Sequence, residues 1–402
     1  MFLASALTLF LAACGGGTPP PPSSITLTVE DPMGSFDAAA YQLGSGSWQS
    51  LSMSGTSTKT GTFSLGGQTK YGVAVRCSGL VVKVIQATAS ELPNPKLECS
   101  SSAPATVSFT VDVSVASSLI ASGDQVCVND FGCSPAATSV LVTVNTATGN
   151  RDFLVTLKAS GGSVKVAKVL RGVNVVSGGN ATVSLSASDQ LPPVGLTLPT
   201  PPSGYTSVMG AITFYLSSSN TGGGMVNASL TSYRPVSGFG GGDRYATLIG
   251  TSATNASLLS IQVFNSGSPN LTLPAPWPSG SVSVSQTAHP SVSGLSRNDN
   301  GLQGYRIYLQ IPARIYYTAS LTKNWLGSAT SYTLPDLSAS NLLGYAPPTG
   351  SGSFEVSAIL SNKNLFALDP NNPSAFQAGD YLQVATAQTN SYTVGGGSIT
   401  LP

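Results

Sequence analysis

The chain has 402 residues, more than one hydrophobic core usually holds, so we expect three or four domains of roughly 100 to 150 residues each. Charged residues make up only 8% of the chain and apolar residues 41%, which allows packed cores under a surface of Ser, Thr, Asn and Gly. The net charge is +1 and the lysines and arginines are scattered singly, so the composition excludes the basic surface that nucleic-acid binding needs.

The first element is an apolar run, Phe2–Ala13, which ends at Cys14. It is shorter than the about 20 residues needed to cross a bilayer, but it fits the apolar part of a signal peptide. Segment 11–14 reads Leu-Ala-Ala-Cys and resembles the lipobox of bacterial lipoproteins, in which the cysteine sulfur receives the lipid. The resemblance implies a signal peptide over 1–13 and a lipid on Cys14, which would anchor the protein in the bacterial cell envelope outside the cytoplasm. The alternative is a buried strand or helix that ends in a cysteine.

The segment 14–24 combines glycines with four prolines, a composition that favours an extended spacer of ~3.1 Å per residue, so we predict a tether. In Ile25–Glu30 the Ile, Leu and Val lie on one face of a strand and the Thr, Thr and Glu on the other. Similar short runs follow, separated by glycine-rich turns, and predict one β domain over 25–102.

A long alternating run, Val107–Val115, opens the next unit. Strand patterns then recur at roughly 8 to 12-residue spacing with no helical period, which is typical of an antiparallel sandwich or barrel. We predict a β-sandwich over 103–190, a proline-rich linker over 191–205, and two further sandwiches over 206–280 and 281–402.

The phrase Leu-Thr-Leu-Pro occurs at 196–199 and again at 271–274, each time followed by prolines and Ser-Gly and then by a strand. In period and strand content these modules look like tandem fibronectin type III or immunoglobulin-like domains. The resemblance implies an all-β fold of tandem β-sandwiches after the signal and tether. It is architectural, because no tryptophan sits between paired cysteines as in true immunoglobulin domains.

Besides Cys14 the chain has Cys77, Cys99, Cys127 and Cys133. Export to an oxidising compartment would favour disulfides. We predict Cys77 with Cys99 and Cys127 with Cys133, because each pair closes locally within one predicted domain. A zinc site is the alternative reading of four cysteines, but no Cys-x-x-Cys spacing is present.

Catalytic chemistry has little support in the sequence. His289 is the only histidine, it precedes Pro290 in a loop, and no G-x-S-x-G motif accompanies it. We therefore predict a solvated His289, no enzyme activity and no cofactor. Carboxylates such as Asp31, Asp124 and Asp189 sit singly at turns, where they bond the local backbone. Paired carboxylates of a glycoside hydrolase, or calcium ligands around 369–372, stay as alternatives.

One candidate binding surface lies in the last third of the chain. In the run 305–311, strand alternation places Arg306 and Tyr308 on the polar face. The next strand brings one of the tyrosines at 316 and 317 beside Tyr308, and Trp325 follows in the next turn. Exposed rings beside Arg suit stacking on sugar faces, although such rings also cap cores or face neighbouring domains. The predicted ligand-binding residues are Arg306, Tyr308, Tyr316 and Trp325.

These patterns favour a lipid-anchored cell-surface protein with a structural, adhesive or binding role. A glycan-binding surface lipoprotein is the first alternative and a carboxylate-dependent glycoside hydrolase the second. The expected partners are the membrane, through the lipid on Cys14, and a glycan or protein at the cell surface.

Overall fold

A computed structural model describes residues 22–402 except 103, 209, 341, 343, 344 and 368–375. The described residues form 29 strands, one short α-helix and three 3₁₀ helices, so the predicted all-β fold class is confirmed. The finer likeness to fibronectin type III or immunoglobulin-like domains stays a prediction. No helix among the described residues is long and apolar enough to cross a membrane. Cys14, with the predicted signal peptide, lies outside the described residues.

Unit 1 (residues 22–102) is a two-layer β-sandwich. The predicted alternation at its start is confirmed, because Ile25, Leu27 and Val29 are fully buried. Strands β4, β1 and β7 form one layer and β6, β5, β2 and β3 the other. The strands of unit 1 are β1 Ser24–Glu30, β2 Phe36–Leu43, β3 Gln49–Leu51, β4 Thr58–Ser64, β5 Lys70–Cys77, β6 Val81–Thr88 and β7 Lys96–Glu98.

Unit 2 (residues 104–190) is a sandwich with its own core, in which sheet β11-β8-β14 packs on sheet β10-β9-β12-β13. Cys127 on β9 is bonded to Cys133 on β10, and Cys77 at the end of β5 in unit 1 is bonded to Cys99. Both predicted disulfides are thereby confirmed. The strands of unit 2 are β8 Val107–Val115, β9 Gln125–Val128, β10 Gly132–Pro135, β11 Ser139–Thr146, β12 Gly149–Lys158, β13 Val164–Val175 and β14 Asn180–Leu185.

Unit 3 (residues 191–280) shares its hydrophobic core with unit 2. Leu154 and Val169 of unit 2 pack into the same hydrophobic cluster as Tyr215 and Tyr245 of unit 3. The short strand β15 lies in the segment 191–205 that the sequence predicts as a linker. The strands of unit 3 are β15 Val194–Gly195, β16 Ile212–Leu216, β17 Gly223–Met225, β18 Asn227–Ser229, β19 Ser232–Tyr233, β20 Arg244–Ala253 and β21 Ala256–Phe264.

Unit 4 (residues 281–402) places sheet β26-β23-β22-β29 over strands β28, β27, β24 and β25. The predicted alternation in the run 305–311 is confirmed, with Tyr305 and Ile307 buried and Arg306 exposed. The elements of unit 4 are β22 Val282–Gln286, β23 Ser291–Ser293, β24 Leu302–Ile311, β25 Ile315–Thr322, α1 Lys323–Leu326, β26 Ser331–Thr333, β27 Ser351–Ser361, β28 Tyr381–Thr393 and β29 Gly397–Leu401.

Units 3, 4 and 1 are joined by one 12-stranded sheet, called the long sheet here, in the order β17-β16-β20-β21-β28-β27-β24-β25-β6-β5-β2-β3. Seven residue pairs join β21 to β28 antiparallel, and six join β25 to β6 in parallel. Both seams use strand edges that independent sandwiches would leave unpaired. The units therefore share backbone ladders in addition to the segments that connect them.

The two faces of the long sheet are covered differently. The inner face is the one that bears Ile307, and the outer face bears Arg306. Ile85 lies opposite Ser320, which lies opposite Arg306, so the unit 1 core residue Ile85 points to the outer face. Sheet β4-β1-β7 thus covers the outer face over unit 1, whereas β26-β23-β22-β29 covers the inner face over unit 4. The covering sheet therefore lies on the outer face on one side of the seam between β25 and β6, and on the inner face on the other side.

Candidate functional site

A cleft of about 690 Å³ lies on the inner face at this seam, and we call it the interunit cleft. The sheet above unit 4 ends at β26, so strands β2, β5 and β6 continue beyond its cover. The chain after β26 returns over unit 1, where Ser50 Oγ donates to the Ser340 carbonyl at 2.7 Å. The side chains that define the cleft are Gln42, Trp48, Lys70 and Gln86 of unit 1 and His289, Trp325, Tyr332 and Asp336 of unit 4.

Gln42, Gly72 and Gln86 form one cross-strand row on the floor of the cleft. A Cβ added at Gly72 would lie 2.8 Å from Trp48 Cη2 and 3.1 Å from Gln86 Cγ. The missing side chain therefore lets the indole of Trp48 lie against the sheet. Trp48 stays partly exposed in this position.

The two floor glutamines form a hydrogen-bond relay. Gln86 Nε2 donates to Gln42 Oε1 at 2.8 Å, and Gln42 Nε2 donates to the Gly46 carbonyl at 2.7 Å. This relay orients both amides and leaves Gln86 Oε1 as an acceptor with no partner among the described residues. Gln86 is 3% exposed, so its carbonyl group is desolvated without compensation.

Unit 4 supplies the opposite wall. Trp325 in α1 and Tyr332 in β26 pack edge to face, with ring centroids 5.9 Å apart and planes at 77°. Neither Trp325 Nε1 nor Tyr332 Oη has a hydrogen-bond partner among the described residues. Burial raises the pKa of Tyr332 well above its usual range, so its hydroxyl stays protonated and can donate. The wall therefore contains two buried donors that have no partner among the described residues.

Three charged or titratable side chains surround the mouth. His289 Nε2 lies 3.0 Å from Tyr345 Oη and 3.5 Å from Asp336 Oδ1. Burial opposes ionisation of Asp336, but hydrogen bonds from Ser338 and the nearby His289 lower the pKa of its carboxyl below the ordinary value. His289 lies in a loop, as predicted, but its side chain is only 20% exposed and is therefore half-buried and not fully solvated. The third group is the ammonium of Lys70.

Glycoside hydrolysis uses a pair of carboxylates at one site. Asp336 is the one carboxylate among the described lining residues of the cleft. Asp31, Asp124 and Asp189 accept local backbone N–H groups, as their turn positions predict. The segment 369–372 lies outside the described residues. Elsewhere in the described chain, no group of three or more His, Cys, Asp and Glu side chains is placed to hold a metal ion.

The predicted ligand-binding residues are divided between the two faces of the long sheet. Tyr308 lies opposite Thr318, and Tyr316 opposite Gln310, so the two tyrosines are diagonal neighbours on the outer face. Both rings are partly exposed, and Arg306 lies on the same face and is exposed. Trp325 instead lines the interunit cleft on the inner side. The structure therefore brings three of the four together and separates the fourth.

Sequence reasoning missed Gln42, Trp48 and Gln86. One signal was available for Gln86, a polar residue on the same strand face as Val82 and Val84 in an otherwise apolar run. Trp48 had no such signal, because its position depends on Gly72 two strands away in the sheet order.

Comparison of the sequence with models of known protein families gives no match, and comparison with curated proteins gives none either.

Proposed function

We propose that this chain is a non-catalytic binding protein, held at a bacterial membrane by a lipid on Cys14, that binds a carbohydrate in the interunit cleft. One observation supports the ligand class above all. Of the five buried side-chain polar atoms that lack a partner among the described residues, three line this one cleft, together with two partly exposed indoles. Two of the three atoms, Trp325 Nε1 and Tyr332 Oη, are donors, and the third, Gln86 Oε1, is an acceptor.

A sugar matches this arrangement of groups. Its C–H faces pack against indole rings such as Trp48, and each of its hydroxyls can both donate and accept. Each buried polar atom left without a partner costs about 1–3 kcal/mol, so a ligand regains that free energy for each of the three atoms that a local side-chain movement lets it reach. The volume of about 690 Å³ falls in the usual range of small-molecule sites.

The proposed cellular location of the protein has separate support. The two disulfides favour a location outside the cytoplasm, where such bonds persist. The lipobox-like segment 11–14 supports lipid attachment, and the proline-rich tether would hold unit 1 off the bilayer. A binding protein in that location would meet cell-surface or environmental glycans.

The test begins with a glycan array probed with the purified full chain, followed by titration of the best oligosaccharide against tryptophan fluorescence. Trp48→Ala and Trp325→Ala should each weaken binding by at least about tenfold, or about 1.4 kcal/mol. Gly72→Ala should also weaken binding, although it keeps both indoles, because its methyl group displaces Trp48. Circular dichroism checks that each variant is folded.

The matched control is Tyr308→Ala, which removes a partly exposed ring on the outer face and should leave the affinity unchanged. If Tyr308→Ala abolishes binding while Trp48→Ala does not, the sugar binds on the outer face and the cleft assignment is wrong. If no glycan on the array binds the native protein, the proposed function fails altogether.

A further inference from the structure

A second cavity, of about 390 Å³, lies on the inner face of the long sheet, at the other end of the seam between β25 and β6 from the interunit cleft. We call it the arginine pocket, because Arg76 of β5 and Arg314 of the turn between β24 and β25 both line it. Arg76 is six residues along β5 from Lys70, which lines the cleft. At about 3.3 Å per residue, the two sites lie about 20 Å apart.

Arg76 belongs to a strand row whose other members are small or apolar. Register places Ala38 and Val82 on either side of Arg76, and Tyr317 beyond Val82. The side chain of Arg76 is only 14% exposed. A charge in such a layer is costly unless it is paired and hydrogen-bonded, so the partners of this guanidinium decide what the pocket can bind.

The described residues satisfy Arg76 only in part. Its Nε and Nη2 donate to the Gly79 carbonyl at 3.0 and 2.8 Å, which fixes the plane of the guanidinium. Its Nη1 lies 3.9 Å from Asp37 Oδ2, beyond hydrogen-bond distance, and that oxygen already accepts the Gly79 N–H at 2.8 Å. Nη1 therefore has no hydrogen-bond acceptor among the described residues.

Arg314 brings a second positive charge to the same pocket. Its side chain is exposed, and none of the ion pairs among the described residues includes it. No Asp or Glu occurs among the described lining residues. Asn341, Leu343 and Gly344 adjoin one wall in sequence, lie outside the described residues and are uncharged. The described lining therefore carries two positive charges and no negative one.

The segment 345–349 forms another wall and offers few groups that could compete for an anion. Pro347 and Pro348 have no backbone N–H. Tyr345 Oη lies 3.0 Å from His289 Nε2 and is thereby engaged on the side of the interunit cleft. The volume of about 390 Å³ is at the lower end of the range of small-molecule sites, so an anion with an attached organic group fits.

We propose that the arginine pocket binds the phosphate group of a small phosphorylated molecule. A guanidinium presents parallel N–H groups that match the oxygens of a phosphate. A phosphomonoester carries about −1.5 to −2 charges at pH 7 and three acceptor oxygens, so it balances two arginines better than a singly charged carboxylate does. This site is separate from the interunit cleft and does not depend on carbohydrate binding there.

The test titrates the full chain carrying Cys14→Ser, which removes the predicted lipid site, with glycerol phosphate, inorganic phosphate and uncharged glycerol by calorimetry. Glycerol phosphate should bind at least as tightly as inorganic phosphate, and glycerol should not bind. Arg76→Gln and Arg314→Gln should each weaken phosphate binding by at least about tenfold, because each removes a charge-assisted contact. The matched control is Arg306→Gln, which changes an exposed arginine on the outer face and should leave the affinity unchanged.

Arg314→Gln decides the test even if Arg76→Gln fails to fold, because Arg314 is exposed in a turn and circular dichroism can verify its variant. A dissociation constant above about 10 mM for both phosphates overturns the proposal. So does an affinity that Arg306→Gln reduces and Arg314→Gln does not, or one that only Lys70→Gln abolishes, because the anion then binds in the cleft. Vesicles of phosphatidylglycerol test a lipid source, and binding of these vesicles without binding of glycerol phosphate overturns the assignment to a small molecule.

Discussion

The carboxylate of Asp189 should stabilise the contact between units 2 and 3 in a strongly pH-dependent way. Its side chain is 7% exposed. Oδ1 accepts from Ser237 Oγ of unit 3 at 2.6 Å, and Oδ2 accepts from Ser186 N at 2.9 Å and Lys168 Nζ at 3.1 Å. Burial opposes ionisation, but these hydrogen bonds outweigh it and lower the pKa of Asp189 from 3.8 to about 2.

The pKa difference sets the expected magnitude. At about 1.36 kcal/mol per pKa unit, the change from 3.8 to about 2 corresponds to about 2.4 kcal/mol of folding free energy. The native pKa is the lower one, so this stabilisation is complete above pH 3.8 and is lost as the pH falls to about 2. Asp189→Asn should therefore lower the free energy of unfolding by about 2.4 kcal/mol at pH 7 and by little at pH 2.

Urea unfolding followed by circular dichroism, at several pH values between 2 and 7, measures this difference directly. Asp112→Asn is the matched control, because Asp112 lies partly exposed on a strand of the same unit and, among the described residues, accepts one side-chain hydrogen bond, from Ser139 Oγ at 3.5 Å. Its effect should be small at every pH. If Asp189→Asn destabilises the protein equally at pH 7 and pH 2, its effect comes from packing and not from charge, and the reasoning fails.

Two further predictions concern the cysteines. Replacing Cys77 and Cys99 by Ala should lower the free energy of unfolding by about 3.4 kcal/mol at 25 °C, and replacing Cys127 and Cys133 should lower it by about 2.2 kcal/mol. The first loss is larger because the entropy of the closed loop grows with the sequence separation, which is 22 for the first pair and 6 for the second. Equal shifts in the urea midpoint would contradict this account. Cys14→Ser should abolish the acyl mass and the partition into detergent, and a variant that keeps both would remove the lipobox interpretation.

Local features could be predicted from the sequence because their physical cause is local. Alternation of residue type reports which face of a strand is buried, since successive side chains point to opposite sides, and it correctly placed Ile25 and Ile307 inward. The disulfides were predictable for the same reason, because each joins cysteines that are near in the chain. The two-residue period of the strand also predicted that Arg306 and Tyr308 share one face, which is the outer face of the long sheet.

The cleft depends on which strand edges meet. Backbone N–H and C=O groups are the same in every residue, so nothing in β6 or β25 marks these strands as parallel partners. That pairing brings Gln86 beside Leu321 and places Trp325 and Tyr332 above the unit 1 strands. The direction of each side chain was determined locally by the sequence. Its neighbours across the seam were decided only by the tertiary structure, because backbone pairing over more than 200 residues leaves no periodic signal in the chain.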